Sequence, residues 1–301
     1  MSDAPLVSVI IATYNRAPLL TQTLDSIFAQ SFLNFEVIVV DDGSSDDTRA
    51  TLAPYQDRIQ YIFQENRGPS AARNLGARRA RGAWLSFQDS DDLARPNHLR
   101  ALHGYTQAHP DCAMVFANGD YLGGPEHNRS TIIPAAKSRS LARRAVRLGD
   151  IFDKSIVRLQ AALIAKAAYE ALGGHDESLR ICMDLDLSFR LLVNFPVGYI
   201  DEAVFSYRKH EGNIGRDEEL RLTENIRVVE KLLRDYPRAG EIIGGRNIAR
   251  RLGYRYYRLA KGRWKRRRRA DARAALAQAV ELCPANPKYR FYQMRWALAA
   301  A

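Results

Sequence analysis

The stretch VSVIIATYNRAPLLTQTLDSIFAQSFLNFEVIVVDDGSSDDT, residues 7–48, decides the fold of this chain. VSVIIAT is a short apolar run rich in β-branched residues, which is typical of a buried strand. Leu20, Leu24 and Ile27 then recur at helical spacing, and FEVIVVDD (35–42) is a second buried-type strand that ends in acids and a DGSS turn. The stretch therefore predicts a strand, a helix and a second, parallel strand.

The same alternation continues along the chain. RIQYIFQ (58–64) and AWLSFQ (83–88) predict two further strands, and SAARNLGARRA (70–80) predicts a helix between them. Strands that alternate with helices indicate an α/β fold, a mostly parallel sheet with helices on both faces. Ligands of such sheets bind beyond the carboxyl ends of the strands.

Polar side chains follow three of the predicted strands at that edge. These are Thr13 and Tyr14 after the first strand, Asp41 and Asp42 after the second, and Asp89 and Asp91 after the fourth. Because the carboxyl ends of parallel strands meet at one edge, we expect these side chains to face a common crevice.

The segment FQDSDD (87–92) concentrates three carboxylates within four positions. Oxygen ligands at a strand end suit Mg²⁺ or Mn²⁺, which take one or two carboxylates together with the phosphates of a substrate. The alternative is a solvated turn or a helix cap, since Asp and Ser also favour loops. The cluster by itself leaves both interpretations open.

Several motifs in order resemble family 2 glycosyltransferases, which have the Rossmann-like GT-A fold. The resemblance runs from residue 7 to residue 96 through VDDGS, NRGPSAARN and FQDSDD, and it resumes from GGHDESL (173–179) to about residue 210. It implies a metal-dependent, inverting transfer of a sugar from a nucleotide diphosphate to a hydroxyl group. It also implies Mn²⁺ or Mg²⁺ as the cofactor.

The resemblance assigns a donor site to particular residues. It implies that Ala12 and Tyr14 line the nucleoside pocket and that Asp42 accepts a hydrogen bond from the base, which favours a UDP-sugar. It implies that Asp89 lies near the ribose and the metal ion, and that Asp91 is the main metal ligand.

Two further residues fall on motifs of the resembling family. Arg73, within SAARN, is expected to support the donor site, and His210, within YRKHEGN, is expected to reach the metal ion or the diphosphate. The remaining acids of these motifs are interpreted as structural, with Asp92 as a cap for the helix that RPNHL begins. The structural acids are Asp41, Asp46, Asp47 and Asp92.

The general base is expected in GGHDESLRICMDLDLSFR. The resembling family has a Glu-Asp pair at the start of a helix here, and Asp184 falls on its Asp, whereas Met183 replaces its Glu. We therefore predict that Asp184 takes the proton of the acceptor hydroxyl. The alternative for Asp184 is an acid placed in a first helical turn by the helix dipole. Asp186 is the weaker candidate because it points to another face of the helix.

The charge of the chain is divided unevenly. Residues 1–215 carry 23 Lys and Arg against 25 Asp and Glu, a balance of −2, whereas residues 216–301 carry 22 against 9, a balance of +13. The basic run KGRWKRRRR (261–269) contributes five consecutive cations beside Trp264. Three interpretations remain: contact with an anionic membrane surface, electrostatic binding of nucleic acid, or a solvated helical face. The family resemblance favours the membrane surface over nucleic acid.

These observations predict two domains. A GT-A catalytic domain is expected at 1–215, with a nucleotide-sugar half at 1–120 and an acceptor half at 121–215, followed by a basic helical region at 216–301. The absence of a long apolar run and three scattered cysteines favour a cytoplasmic protein. The basic run allows a peripheral position on the inner membrane face.

The leading hypothesis is a glycosyltransferase that acts on a glycan or a lipid-linked envelope acceptor. The alternative is a catalytically degenerate GT-A protein that binds a nucleotide or glycan, or that scaffolds a membrane complex.

Overall fold

The computed structural model describes residues 5–122, 130–210 and 217–298. The chain forms two compact units. The first comprises Met1–Arg147 and Ile156–Gly212, and the second comprises Leu148–Ser155 and Asn213–Ala301.

The strands all belong to one sheet in the first unit. Their bounds are β1 Val7–Thr13, β2 Phe35–Asp41, β3 Gln60–Phe63, β4 Trp84–Asp89, β5 Leu93–Ala94, β6 Met114–Leu122, β7 Ala162–Ala165 and β8 Val197–Arg208. The strand order is β3-β2-β1-β4-β7-β6-β8-β5. The pairs β1–β2, β1–β4 and β2–β3 are parallel, and so is the pair β6–β8. Strand β7 is antiparallel to β4 and β6, and β5 is antiparallel to β8.

The helices occupy both units. In the first unit they are α1 Ala17–Phe28, α2 Thr48–Thr51, α3 Pro69–Arg79, α4 His98–Ala108, α5 Ala135–Ala142, α7 Lys166–Ala171 and α8 Met183–Asn194. In the second unit they are α6 Leu148–Phe152, α9 Glu218–Asp235, α10 Pro237–Ile243, α11 Gly245–Lys265, α12 Arg269–Leu282 and α13 Pro287–Leu298. The predicted α/β fold with a C-terminal helical part is confirmed.

The two faces of the central strands carry different helices. Leu20 and Leu24 of α1 join the buried cluster that contains Val9 and Ile11, the odd-numbered side of β1. On the opposite face, α3 approaches β1 so closely that a Cβ atom on Gly76 would lie 2.5 Å from Cγ2 of Ile10. Glycine is therefore what permits α3 to lie at this distance from the sheet.

The register of the central strands aligns their carboxyl ends. Thr13 of β1 lies opposite Asp41 of β2, and Ala12 of β1 lies opposite Asp89 of β4. The Asp42 amide extends the first pairing by donating to the Thr13 carbonyl at 2.8 Å. The polar residues that follow these strands therefore start from one edge of the sheet.

The second unit is built around α11, which packs against α9, α10 and α12. The Trp264 and Trp296 rings stack with centroids 4.2 Å apart and an interplanar angle of 3°. Short α6 is held within this unit, since Arg251 lies over the Phe152 ring at 4.6 Å and Arg250 pairs with Asp153 at 2.5 Å.

The basic run is exposed over its five consecutive cations and lies where two helices of the second unit meet. Helix α11 ends at Lys265 and α12 begins at Arg269, so the middle three of the five consecutive cations form the turn between the two helices. Glu219 accepts ion pairs from three arginines, Arg263, Arg266 and Arg268, at 3.0, 2.5 and 2.9 Å. The run is therefore tied to α9 through one shared carboxylate and still carries a net positive charge.

None of the helices in the described part of the chain combines the length and the apolar character that a bilayer crossing requires.

Candidate functional site

An acidic cluster lies at the end of β4. The carboxylate oxygens of Asp89, Asp91 and Asp92 come within 4.8 Å of one another. His210, just beyond β8, places Nε2 2.7 Å from Oδ2 of Asp91, and Arg16 lies 3.7 Å from the same oxygen. The fold therefore brings the three metal-ligand candidates, Asp89, Asp91 and His210, together from two distant segments.

The electrostatics of this cluster favour an added cation. Burial and the neighbouring Asp89 charge raise the pKa of Asp91, while His210 and Arg16 lower it. Hard oxygen ligands that crowd one another in a partly buried position match the preference of Mg²⁺ and Mn²⁺. The residues present therefore fit a divalent metal ion.

Asp92 does not cap the following helix, contrary to the expectation from the sequence. Asn97 occupies the N-cap position of α4 without a side-chain bond. Instead, Oδ1 of Asp92 accepts from the Arg208 amide at 2.8 Å, and Oδ2 is buried without a hydrogen-bond partner. Burial, together with the charges of Asp89 and Asp91, raises the pKa of Asp92 well above its ordinary value. Asp92 thus ties the β4 end to the β8 end.

Arg73 lies between the acidic cluster and the predicted base. Its guanidinium NH2 is 2.5 Å from Asp89, and NH1 is 3.6 Å from Asp184. Burial alone would lower the pKa of Arg73, but the charges of Asp89 and Asp184 outweigh it and raise that pKa. A side chain that is 8% exposed thus joins two carboxylates 95 positions apart in the chain.

Met183 provides a neutral acceptor at the position where the resemblance leads us to expect a Glu. Its sulfur accepts from Arg73 NH1 at 2.8 Å and from the Ser70 hydroxyl at 3.4 Å. Because thioether sulfur is a weak, uncharged acceptor, the positive charge of Arg73 is balanced by Asp89 and Asp184 instead. The departure from the family pattern therefore leaves Arg73 with two carboxylate partners in this part of the site.

Asp184 occupies the first turn of α8 and is 22% exposed. Burial raises the pKa of Asp184, Arg73 opposes that rise, and a backbone hydrogen bond from Leu159 also lowers the pKa. Its Oδ1 is buried and accepts no hydrogen bond. Asp186, the weaker candidate, is bound at 2.6 Å by Arg190.

Gln160 is a site residue that sequence reasoning missed. It lies in the 3-10 turn Leu159–Ala161 before β7, and its Nε2 donates to Oδ2 of Asp89. Its Oε1 is buried without a partner, and its backbone carbonyl accepts from Gln88 at 2.9 Å. A single buried amide within the apolar segment LQAALIA was the available signal. This turn contacts both Asp89 and Asp184 through adjacent residues.

The predicted nucleoside pocket lies at the ends of β1 and β2. Asp42 accepts from Gln64 Nε2 at 2.6 Å and from the amides of Arg67 and Gly68 at 2.9 and 2.8 Å. Tyr14 is 48% exposed and Ala12 is half-buried. The carboxylate of Asp42 is therefore fixed by the 64–68 loop, beside two side chains that remain accessible at the strand end.

Asn74 fixes the segment that precedes α8. Its Nδ2 donates to the His175 carbonyl and to Glu177, both at 3.0 Å, and its Oδ1 accepts from Tyr169 at 2.6 Å. Both Arg73 and Asn74 come from α3, so one helix holds the acidic cluster and the loop that leads to Asp184.

The sheet order and the helices around it define a GT-A-fold protein. The model of the family described as "Glycosyl transferase family 2" matches residues 8–161. The chain belongs to this family.

Known proteins extend the comparison. An uncharacterized glycosyltransferase of Rickettsia typhi is 30% identical over 209 residues, which cover 69% of this chain and 65% of that protein. The structure of S. aureus TarS residues 1–349 has a TM-score of 0.69 at 21% identity, covering 92% of this chain and 81% of that one. The mannosyltransferase PcManGT from Pyrobaculum calidifontis, in complex with GDP-Man and Mn²⁺, has a TM-score of 0.62 at 20% identity, covering 98% and 84%. The chain thus spans about two thirds of the length of the Rickettsia relative.

Proposed function

We propose that this protein is an inverting glycosyltransferase that moves a sugar from a nucleotide diphosphate to a hydroxyl group by single displacement. The observation that carries the proposal is the Arg73 guanidinium, which contacts both Asp89 of the acidic cluster and Asp184, the proposed base. Donor binding and proton removal would then occur on two sides of one buried cation.

Asp184 is proposed to accept the proton of the attacking hydroxyl. Burial raises its pKa, which makes it a stronger base than a solvated carboxylate, and Arg73 keeps that rise limited. Arg73 is proposed as a positioning residue that orients this carboxylate.

Asp91, Asp89 and His210 are proposed to hold Mn²⁺ or Mg²⁺. When bound, such an ion neutralises negative charge on a diphosphate leaving group. Arg16 lies at the same carboxylate and adds positive charge on the side of β1.

Ala12, Tyr14 and Asp42 are proposed to bind the nucleoside, and a UDP-sugar is the favoured donor. TarS has been crystallised with UDP and with UDP-GlcNAc, whereas PcManGT was crystallised with GDP-Man and Mn²⁺. The complexes of both proteins support a nucleotide-sugar donor. Because PcManGT was crystallised with GDP-Man, GDP is included in the binding test described below.

A glycan or lipid-linked envelope acceptor is proposed, with a cytoplasmic location on the inner membrane face. The sequence motifs that favour an enzyme extend to about residue 210, and the basic helical unit follows them. Because Glu219 binds three arginines within 261–269, we expect this run to contribute less to membrane contact than its charge indicates. Nucleic acid is not proposed as a partner.

The alternative is a degenerate GT-A protein that binds a nucleotide or glycan without turnover. Met183 in place of the usual Glu is the observation that favours it, because one carboxylate near the proposed base is missing.

The test is a calorimetric titration of UDP, GDP and dTDP, with and without Mn²⁺, on the wild type and on Asp91→Asn. We expect metal-dependent binding of one nucleotide that is weakened at least tenfold in the variant, because a principal ligand loses its charge. Asp184→Asn is the matched variant: it should bind the same nucleotide normally and lose turnover. Absence of nucleotide binding under every condition would refute the donor site, and normal turnover by Asp184→Asn would refute the assigned base.

A further inference from the structure

Helix α13 presents an apolar face to solvent. Phe291, Met294 and Leu298 are 53%, 62% and 79% exposed. Their spacing of three and four residues puts them on one side of the helix. Large apolar side chains exposed as a group mark interaction surfaces more often than isolated ones do. These three residues are called the α13 apolar face below.

The opposite side of α13 is fixed within the helical unit. Tyr289 and Trp296 are 5% and 3% exposed. Tyr289 stacks on Tyr257 with ring centroids 5.0 Å apart, and Trp296 stacks on Trp264 at 4.2 Å. The helix is therefore held in one orientation by its aromatic side, and the α13 apolar face is the side that packing leaves uncovered among the described residues.

Cations border the α13 apolar face. Helix α13 contains Lys288, Arg290 and Arg295 and no acidic residue. At 3.6 residues per turn, Lys288 and Arg295 lie on one flank of the apolar face and Arg290 lies on the other. An exposed apolar centre with basic flanks offers an anionic bilayer both apolar burial and electrostatic attraction to its headgroups.

We infer that the α13 apolar face, with its basic flanks, is a docking surface for an anionic lipid bilayer. Charge complementarity selects this occupant. If a second copy of the chain packed against this face by two-fold symmetry, the cations of the two copies would lie close together and repel each other.

The inference places bilayer contact on α13 rather than on the arginine run. Three arginines of that run are bound by Glu219, and Arg269 lies over the Trp264 ring at 3.9 Å. The run keeps exposed positive charge, because three arginines share one carboxylate, but it has no exposed apolar residue that could enter a bilayer. Lys288 is also near an aromatic ring, 5.1 Å from that of Tyr257, and what distinguishes it from the run is the exposed apolar face beside it.

The experiment is sedimentation of the full chain with vesicles of phosphatidylcholine, alone or with about one third phosphatidylglycerol. The wild type should bind the anionic vesicles and not the neutral ones. Combined Phe291→Ser, Met294→Ser and Leu298→Ser should weaken binding at least tenfold. Leu33→Ser is the matched control, since Leu33 is 84% exposed in the first unit.

A second pair of variants separates α13 from the arginine run. Lys288→Gln with Arg295→Gln removes two cations beside the α13 apolar face and should weaken binding about tenfold or more. Lys265→Gln with Arg267→Gln removes two exposed cations of the run and should change binding by less than about threefold. Far-ultraviolet circular dichroism and thermal unfolding verify that every variant is folded.

Three outcomes would overturn the inference. They are equal binding to neutral vesicles, an equal loss in both charge variants, and a serine variant that binds as the wild type does. Lack of vesicle binding combined with a dimer that the serine substitutions dissociate would assign the face to a second copy. The assay contains no nucleotide, so its failure leaves the proposed donor site untouched.

Discussion

Arg73 shows how one residue links two parts of the candidate site. Its guanidinium contacts Asp89, Asp184 and the Met183 sulfur while the side chain is 8% exposed. A buried cation between two carboxylates offsets their mutual repulsion, so removing the cation leaves two like charges uncompensated. The acidic residues of this site therefore depend on α3 for their charge balance.

At this scale we predict that Arg73→Met lowers the free energy of unfolding by roughly 3 kcal/mol, since two partly buried carboxylates lose their counter-ion. Adding Asp184→Asn should restore part of the loss, because one of the repelling charges disappears. Urea denaturation of both single variants and the double variant measures the coupling. Arg81→Met is the matched control: Arg81 is 68% exposed in its pair with Glu36, so that pair should contribute less than about 1 kcal/mol. Additive losses in the double variant would contradict the coupling.

Helix α3 is the element that positions Arg73 and Asn74. Its distance from the sheet is set by Gly76, where a Cβ atom would lie 2.5 Å from the Ile10 side chain and 3.3 Å from that of Val40. Both neighbours belong to strands whose ends carry the predicted nucleoside site. A displacement of α3 would therefore alter the ion pair with Asp89 as well as the packing.

For this element we predict that Gly76→Ala destabilises the protein by about 1–3 kcal/mol, through overpacking against β1. Gly104→Ala is the matched control, since Gly104 lies within α4 and a Cβ atom there would meet nothing within 4 Å. That substitution should stabilise by about 0.5–1 kcal/mol through helix propensity. Thermal and urea unfolding of the two variants should therefore shift in opposite directions, and a shift of both in the same direction would show that α3 is not tightly packed.

At the scale of the whole molecule, buried neutral histidines make stability depend on pH. His98 is fully buried, and burial lowers its pKa to about 4. Its ring nitrogens face the Ser86 hydroxyl, the Gln88 amide and the Val204 carbonyl, none of which is charged. Burial also lowers the pKa of His175 well below its ordinary value. Unfolding therefore exposes imidazoles that bind protons more readily.

We predict a loss of stability between about pH 6.5 and pH 4, where the unfolded His98 binds a proton and the folded one does not. From pH 7 to pH 5 this histidine alone should remove about 2 kcal/mol from the free energy of unfolding. Urea titrations at both values should show that His98→Gln loses about 2 kcal/mol less than the wild type over this interval. His109→Gln, at an exposed position, is the matched control. An identical pH dependence for the wild type and His98→Gln would refute the assignment.

The two units also divide the charge of the whole molecule. Residues 216–301 carry a balance of +13 in which Glu219 is already subtracted, and three arginines share that one carboxylate while Arg269 lies over the Trp264 ring. What a basic composition offers to a partner therefore depends on which cations remain exposed, and α13 keeps its cations on the surface.

The sequence alone predicted β1, α1, β2, β3, α3 and β4 in their chain order, because apolar periodicity reports directly which side of an element is buried. It also determined that acids follow β2 and β4, since these positions are local to the strands. The approach of Arg73 to both Asp89 and Asp184, the contact of Gln160 with Asp89, and the bonding of Asp92 to the β8 end rather than to α4 were decided only by the tertiary structure. The physical reason is that each of these contacts joins segments far apart in the chain. Their geometry is fixed by how closely α3, α8 and the Leu159–Ala161 turn pack around the sheet, and local sequence patterns carry no record of those distances.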